Sequence, residues 1–184
     1  MKKLVLFVIV LSFAAFNSFA QSTTSTQYVG DFSLGLETGL PVNNTDTYWI
    51  AVGGSLKYEQ PITPNVLITL SAGYTDFNYT QALKNQLKAY YNYSSGLNFV
   101  PVKIGAKYFL NPSNSFDASN TGFFGEMQVG AAIATGKGHS GTAFIYAPGV
   151  GYQFETGFEA GLRFESWNKS GSLDQVALRL AYVF

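Results

Sequence analysis

The sequence predicts an all-β fold: a closed, eight-stranded, antiparallel, up-and-down transmembrane β-barrel. Three observations carry this reading. Eight segments alternate apolar residues with polar or small ones at a period of two. The charges inside those segments all fall on the face opposite the apolar set. Tyrosines gather on the apolar face near segment ends.

Composition agrees. Charged residues are 12% of the chain, about half the usual share of a soluble domain, while aromatics reach 16%. The 184 residues suffice for one domain. The first twenty read as an address: Lys2 and Lys3 precede an apolar run from Leu4 to Phe16 broken only by Ser12, and Ser18-Phe19-Ala20 is a small-x-small cleavage site. An N-terminal membrane anchor is the competing reading, but the run is too short to span a bilayer. A cleaved signal peptide at 1–20 and a barrel domain at 21–184 are therefore expected. Without Lys2 and Lys3, nine basic residues face eleven acidic ones, a net of −2. That balance gives no reason to expect nucleic acid as a partner. The absence of cysteine excludes a disulfide framework, a thiolate metal site and a lipid-anchor cysteine.

Along the mature chain, Gln21 to Gln27 is a polar lead-in. The first strand sets Tyr28, Phe32, Leu34, Leu36 and Leu40 against Asp31, Ser33, Gly35, Glu37 and Gly39. The second sets Tyr48, Ile50, Val52, Leu56 and Tyr58 against Trp49, Ala51, Gly53, Ser55, Lys57 and Glu59. The third sets Val66, Ile68, Leu70, Ala72 and Tyr74 against Leu67, Thr69, Ser71, Gly73 and Thr75. In the fourth, Val100, Val102, Ile104, Ala106 and Tyr108 oppose Phe99, Lys103, Gly105 and Lys107. In the fifth, Phe123, Met127, Val129, Ala131 and Ile133 oppose Phe124, Glu126, Gln128 and Gly130. In the sixth, Phe144, Tyr146, Val150, Tyr152 and Phe154 oppose Ala147, Gly149, Gly151 and Gln153. In the seventh, Phe158, Ala160, Leu162 and Phe164 oppose Glu159, Gly161, Arg163 and Glu165. In the eighth, Val176, Leu178, Leu180, Tyr182 and Phe184 oppose Gln175, Ala177, Arg179 and Ala181.

Pro101 and Pro148 each remove a ladder donor, which predicts a bulge or a local break. Turn formers mark connections at 41–47, 61–65, 111–121, 136–141 and 168–174. The longest connection runs from Asp76 to Gly96, where Ala82, Leu83, Leu87 and Tyr90 fall at helical spacing and predict a short surface helix.

Eight amphipathic strands also suit a soluble lipocalin-like barrel with its apolar face inward. Tyrosine placement argues against it. Eight of the twelve tyrosines, Tyr28, Tyr48, Tyr58, Tyr74, Tyr108, Tyr146, Tyr152 and Tyr182, lie on the apolar face, as an interfacial aromatic girdle requires. Tyr48 and Tyr58 are ten residues apart; tilted by about 40°, that length covers roughly 25 Å, the height of an apolar membrane band. The charges argue the same way. Asp31, Glu37, Lys57, Glu59, Lys103, Lys107, Glu126, Glu159, Arg163, Glu165 and Arg179 form a nearly balanced set of six acids and five bases on the inner face, as mutual neutralisation in a narrow lumen demands.

The chain ends on Leu178, Leu180, Tyr182 and Phe184 at alternate positions. This resembles the signal that the outer-membrane assembly machinery reads in the last strand of such barrels. In strand number, polarity and ending, the mature chain resembles the small-barrel family of OmpX and the OmpA transmembrane domain. The resemblance implies an outer-membrane location in a Gram-negative-type cell envelope, with membrane lipid and the assembly machinery as partners. It implies no catalytic motif. A monomer without a cofactor is expected.

Few residues offer chemistry. His139 is the only histidine, in Gly138-His139-Ser140-Gly141. Outer-membrane lipid A deacylases use a histidine and a serine one residue apart on one strand face; here the two are adjacent in a glycine-rich stretch, which reads as a surface loop. One histidine and no cysteine leave few strong metal ligands. Inward charges read as a structural plug, with a proton- or solute-conducting gate as the alternative. Inward glycines 35, 39, 53, 73, 105, 130, 149, 151 and 161 make room for long charged side chains rather than a pore. Tyr79, Tyr90, Tyr91 and Tyr93 cluster in the long surface loop and suit either an extended aromatic belt or binding of something outside the cell. The function expected is a structural or surface-interaction barrel with a filled lumen. The alternatives are passage of a small apolar solute and a membrane-embedded lipid-modifying enzyme.

Overall fold

In the computed structural model, the structure describes residues 30–87, 96–110, 120–135, 141–169 and 171–184. The predicted signal peptide, Tyr28, Tyr90, Tyr91, Tyr93 and His139 lie outside the described residues.

Eight strands close into one antiparallel barrel in sequence order. They are β1 (Asp31–Pro41), β2 (Tyr48–Pro61), β3 (Val66–Tyr79), β4 (Gly96–Phe109), β5 (Gly122–Ala134), β6 (Thr142–Gln153), β7 (Phe158–Asn168) and β8 (Ser172–Val183). The register can be followed around the wall: Phe32 pairs with Tyr58, then Leu70, Ile104, Val129, Tyr146, Ser166 and Asp174 follow. The Asp174 carbonyl accepts from Val42 N at 2.8 Å, so the circuit returns to the first strand ten residues from its start. A stagger of that size over eight strands tilts them by about 40° and leaves an interior just wide enough to be filled by side chains.

The period-two pattern sets the polarity of the wall, and the result is inside out relative to a soluble protein. Among the described residues, thirty-two large hydrophobic ones are exposed, while nineteen polar or charged ones are buried. Leu36 is 74% exposed and Lys107 is fully buried. That arrangement is stable only with an apolar solvent outside, and it excludes the lipocalin-like alternative.

Two local features differ from the sequence expectation, and a third decides between the two outcomes it allowed. The first is a register shift between Tyr48 and Ile50 opposite β3. An extra residue on one strand swaps the faces beyond it. Trp49, read as inward, is therefore 57% exposed on the outer face. Tyr48, read as an outward girdle residue, turns inward, its ring 5.9 Å from Phe77 and 5.5 Å from Tyr79. Second, β3 continues three residues past Asp76, its inward alternation running on through Phe77 and Tyr79. Tyr79, read as a surface-loop residue, is thus the buried end of a strand. Third, the prolines break pairing without bulging. The pairing of β3 with β4 lapses opposite Pro101, and that of β6 with β7 lapses at Pro148, yet the register on either side is unchanged.

Among the described residues, the predicted surface helix forms as α1 (Gln81–Leu87). Thr80 caps it, its hydroxyl accepting from Leu83 N at 3.5 Å and donating to the Asp46 carbonyl at 2.7 Å. A connection not anticipated, 154–157, is a tight turn in which Gly157 takes φ +82°, a conformation that glycine adopts at least cost.

Candidate functional site: the filled lumen and its mouth

The lumen is built in three tiers. At the end where β1 begins and β8 finishes, Leu67, Phe109 and Phe124 from β3, β4 and β5 form a small apolar cap. The rings of Phe109 and Phe124 lie 5.7 Å apart. Lys107 Nζ stands 5.0 Å from one ring centroid and 4.2 Å from the other, so this cap also receives a cation over its π faces.

Above it lies a connected network of ten ionised side chains, five acidic and five basic. Glu159 is the hub, 3.2 Å from Lys57, 2.5 Å from Lys107 and 2.8 Å from Arg179. Lys57 also meets Glu59 at 2.7 Å and Glu126 at 3.3 Å, and Lys107 meets Glu59 at 3.1 Å. Arg179 reaches Glu37 at 3.6 Å, Glu37 pairs with Arg163 at 2.5 Å, Arg163 with Glu165 at 2.6 Å, and Glu165 with Lys103 at 2.8 Å. Neutral side chains add further hydrogen bonds to the network. Arg179 donates to the hydroxyls of Ser33 and Ser55, Gln175 donates to Glu165, and Gln153 accepts from Lys107. An ionised group survives burial only when paired and hydrogen-bonded, and here equal numbers of each sign satisfy one another. Asp31, grouped with this set in the sequence, lies at the very start of β1 and is only partly buried.

Towards the other end, β2 to β7 close over the charges with an apolar cluster of Ala51, Phe77, Phe99, Ala132, Ala143, Ile145 and Trp167. Phe77, Phe99 and Trp167 pack edge to face with centroids 5.1 to 5.9 Å apart. The Trp167 indole donates to Glu165 Oε2 at 3.1 Å, joining this cap to the charge network. Within the barrel, beside Glu126, Glu159, Arg163 and Arg179, there is a void of only about 10 Å3, room for about one water. Beyond the aromatic cap the barrel opens into a cup of about 340 Å3, floored by Tyr48, Leu97, Phe99, Ala143, Trp167 and Leu173.

The sequence reading did not single out this second cap. Its signal was present in parity: Phe77 continues the inward series of Gly73 and Thr75, and Trp167 continues that of Arg163 and Glu165. On the outer face, Tyr74, Tyr108, Tyr146 and Tyr182 are exposed. Tyr58 packs on Phe32, and Tyr152 packs between Phe123 and Phe154. Leu178, Leu180, Tyr182 and Phe184 all point outward from the last strand.

A closed eight-stranded barrel with aliphatic and aromatic residues outside and ion pairs within defines the fold class of the small outer-membrane β-barrels. Solved structures of that class are similar to this chain over most of its length. Ail of Yersinia pestis matches at TM-score 0.55 with 14% identity, covering 85% of this chain and 100% of its own. The N-terminal barrel domain of Pseudomonas aeruginosa OprF matches at 0.53 with 13% identity, covering 84% and 97%. The outer membrane enzyme PagL matches at 0.55 with 14% identity, covering 82% and 98%. At such identities the likeness is one of fold. No protein-family model matches the chain, and no curated protein does.

Proposed function

We propose that this chain is an integral outer-membrane barrel whose lumen is a permanent plug, with a structural or surface-interaction role rather than a catalytic one. The observation that carries the reading is the ten-charge network held between two aromatic caps. Opening a path would strand ionised groups in an apolar interior, where breaking one pair costs about 3–5 kcal/mol. The bilayer takes the outward apolar face, and a cleaved signal at 1–20 accounts for export. The outward series Leu178, Leu180, Tyr182 and Phe184 is the surface that the assembly machinery reads. An even strand count returns the chain to its starting side, so both termini face the periplasm and the cup faces outside.

Planar-bilayer recording tests the plug. The reading expects no steady unitary conductance from the purified, folded protein; well-resolved openings in every active bilayer would replace the plug with a channel. Passage of a small apolar solute is weakened by the 10 Å3 void. A lipid-modifying activity, which the adjacent His139 and Ser140 and the fold likeness to PagL leave as an alternative, is addressed by His139→Ala: loss of any lipid modification seen with the parent protein would restore it.

A further inference from the structure

The void of about 10 Å3 inside the barrel lies against the wall between β6 and β7, bordered by Gly149 and Gly161 and by four ionised side chains, Glu126, Glu159, Arg163 and Arg179. Two of the four have hydrogen-bonding capacity to spare. Arg163 gives its Nε to Glu165 and its Nη2 to Glu37, and its Nη1 donates to nothing among the described residues. Glu126 accepts from Lys57 and Gln128 on Oε1, and its Oε2 accepts from nothing among the described residues. A guanidinium offers five N–H donors and a carboxylate two acceptor oxygens, and a charged group left short of partners in a sealed interior costs stability.

From this geometry we infer that the void holds one water molecule as a fixed part of the plug, accepting from Arg163 and donating to Glu126. Size admits a single water and nothing larger. Polarity calls for one, because cavities that stay dry are apolar, and this one is bordered by four charges. Charge balance argues against an ion, since the two acids and two bases at the void already cancel. Water combines donor and acceptor in one molecule, so it matches both spare groups at once. This rests on the plugged barrel, because in an open lumen the same position would be filled by bulk solvent.

Of the two glycines at the void, Gly161 has room for a side chain. A Cβ there meets Phe124 and Val150 only at 3.8 Å, whereas at Gly149 it would collide with Arg163. The methyl of Gly161→Ala takes the space of the water and offers no hydrogen bond. The urea midpoint of the folded protein in lipid vesicles should therefore fall by about 0.5–1 M. Gly161→Ser fills the same space with a hydroxyl that both donates and accepts, and should recover most of that fall. A dry void reverses the sign: Gly161→Ala would then add packing and remove backbone freedom from the unfolded chain, and the midpoint would rise. A rise, or an equal fall in both variants, overturns the water. Nuclear Overhauser contacts between water and glycine Hα protons, recorded on the folded barrel in nanodiscs, observe the water itself. Contacts are expected at Gly149 and Gly161 and should be lost in Gly161→Ala; their absence from the parent protein overturns the site. Contacts also at Gly53 and Gly130, inward glycines that do not border the void, would mean a hydrated lumen and refute the plug as well. A barrel silent in bilayers and without water contacts at any of the four would refute the water alone.

Discussion

Glu159→Gln removes one charge while keeping size and hydrogen-bonding shape, so its cost reports electrostatics rather than a cavity. The three cations around Glu159 are affected unequally. Lys57 retains Glu59 and Glu126, and Lys107 retains Glu59, but Arg179 is left with Glu37 at 3.6 Å as its nearest carboxylate. The network changes from five acids and five bases to four and five, with the surplus positive charge fully buried. Removing one partner of a buried pair costs about 3–5 kcal/mol. At a denaturant slope of about 2 kcal/mol per molar, the urea midpoint should fall by roughly 2 M. The control is Glu155→Gln, an exposed acid in the turn just before β7, expected to cost about 0–0.5 kcal/mol. Arg179→Gln added to Glu159→Gln should cost less than the sum of the singles, because restored neutrality offsets part of the loss. Equilibrium urea unfolding in lipid vesicles measures the parent, the three single variants and the double variant. Equal costs for Glu159→Gln and Glu155→Gln, or strict additivity in the double variant, would refute a coupled buried network.

Trp167→Ala, which deletes a ring packed against Phe77 and Phe99, should destabilise the barrel by about 3–5 kcal/mol yet leave bilayers silent, because the charge tier below still fills the lumen. Gly130→Ala should lower the urea midpoint clearly, since its Cβ would collide with the Val102 carbonyl oxygen; Gly125→Ala on the same strand, with nothing within 4 Å, should leave the midpoint level or raise it. Cysteine placed at Thr45, in the exposed β1–β2 connection, should react with an impermeant label on intact cells. Cysteine at Glu155 should react only after permeabilisation, and the reverse pattern would invert the proposed orientation.

The barrel was legible because membrane and lumen impose opposite chemistries on alternate residues, so each strand declares both its type and its facing. Where the alternation is regular, as from Phe32 to Leu40 or from Gln175 to Phe184, strand and face match the structure residue by residue. The misreadings fall where alternation stops being informative. At Tyr48-Trp49-Ile50 three successive large apolar residues fit either register, and the bulge that chooses between them depends on pairing with β3. At Phe77 and Tyr79 the inward face turns from polar to aromatic, so the pattern loses its contrast although its parity holds. The same loss hid the upper cap: Phe99 has inward parity, but an inward Ile145 or Trp167 looks like a membrane-facing residue until strands distant in sequence are brought together. The charges were recognisable as inward from parity alone. Their partners were not, because contacts such as Arg163 with Glu37 or Lys57 with Glu159 cross the lumen rather than follow the wall.

Solvent access to the middle of the lumen tests the plug most directly. Ser71 sits on the inner face of β3, almost fully buried, with no hydrogen-bond partner for its hydroxyl, so Ser71→Cys is nearly isosteric and breaks no contact in the network. The folded variant in vesicles should resist a small methanethiosulfonate reagent for as long as the barrel stays folded, and should react at once on unfolding in urea. Modification of the folded protein at the rate of an exposed control cysteine at Thr45 would mean that water and solutes reach the centre of the barrel, and the sealed lumen would be wrong.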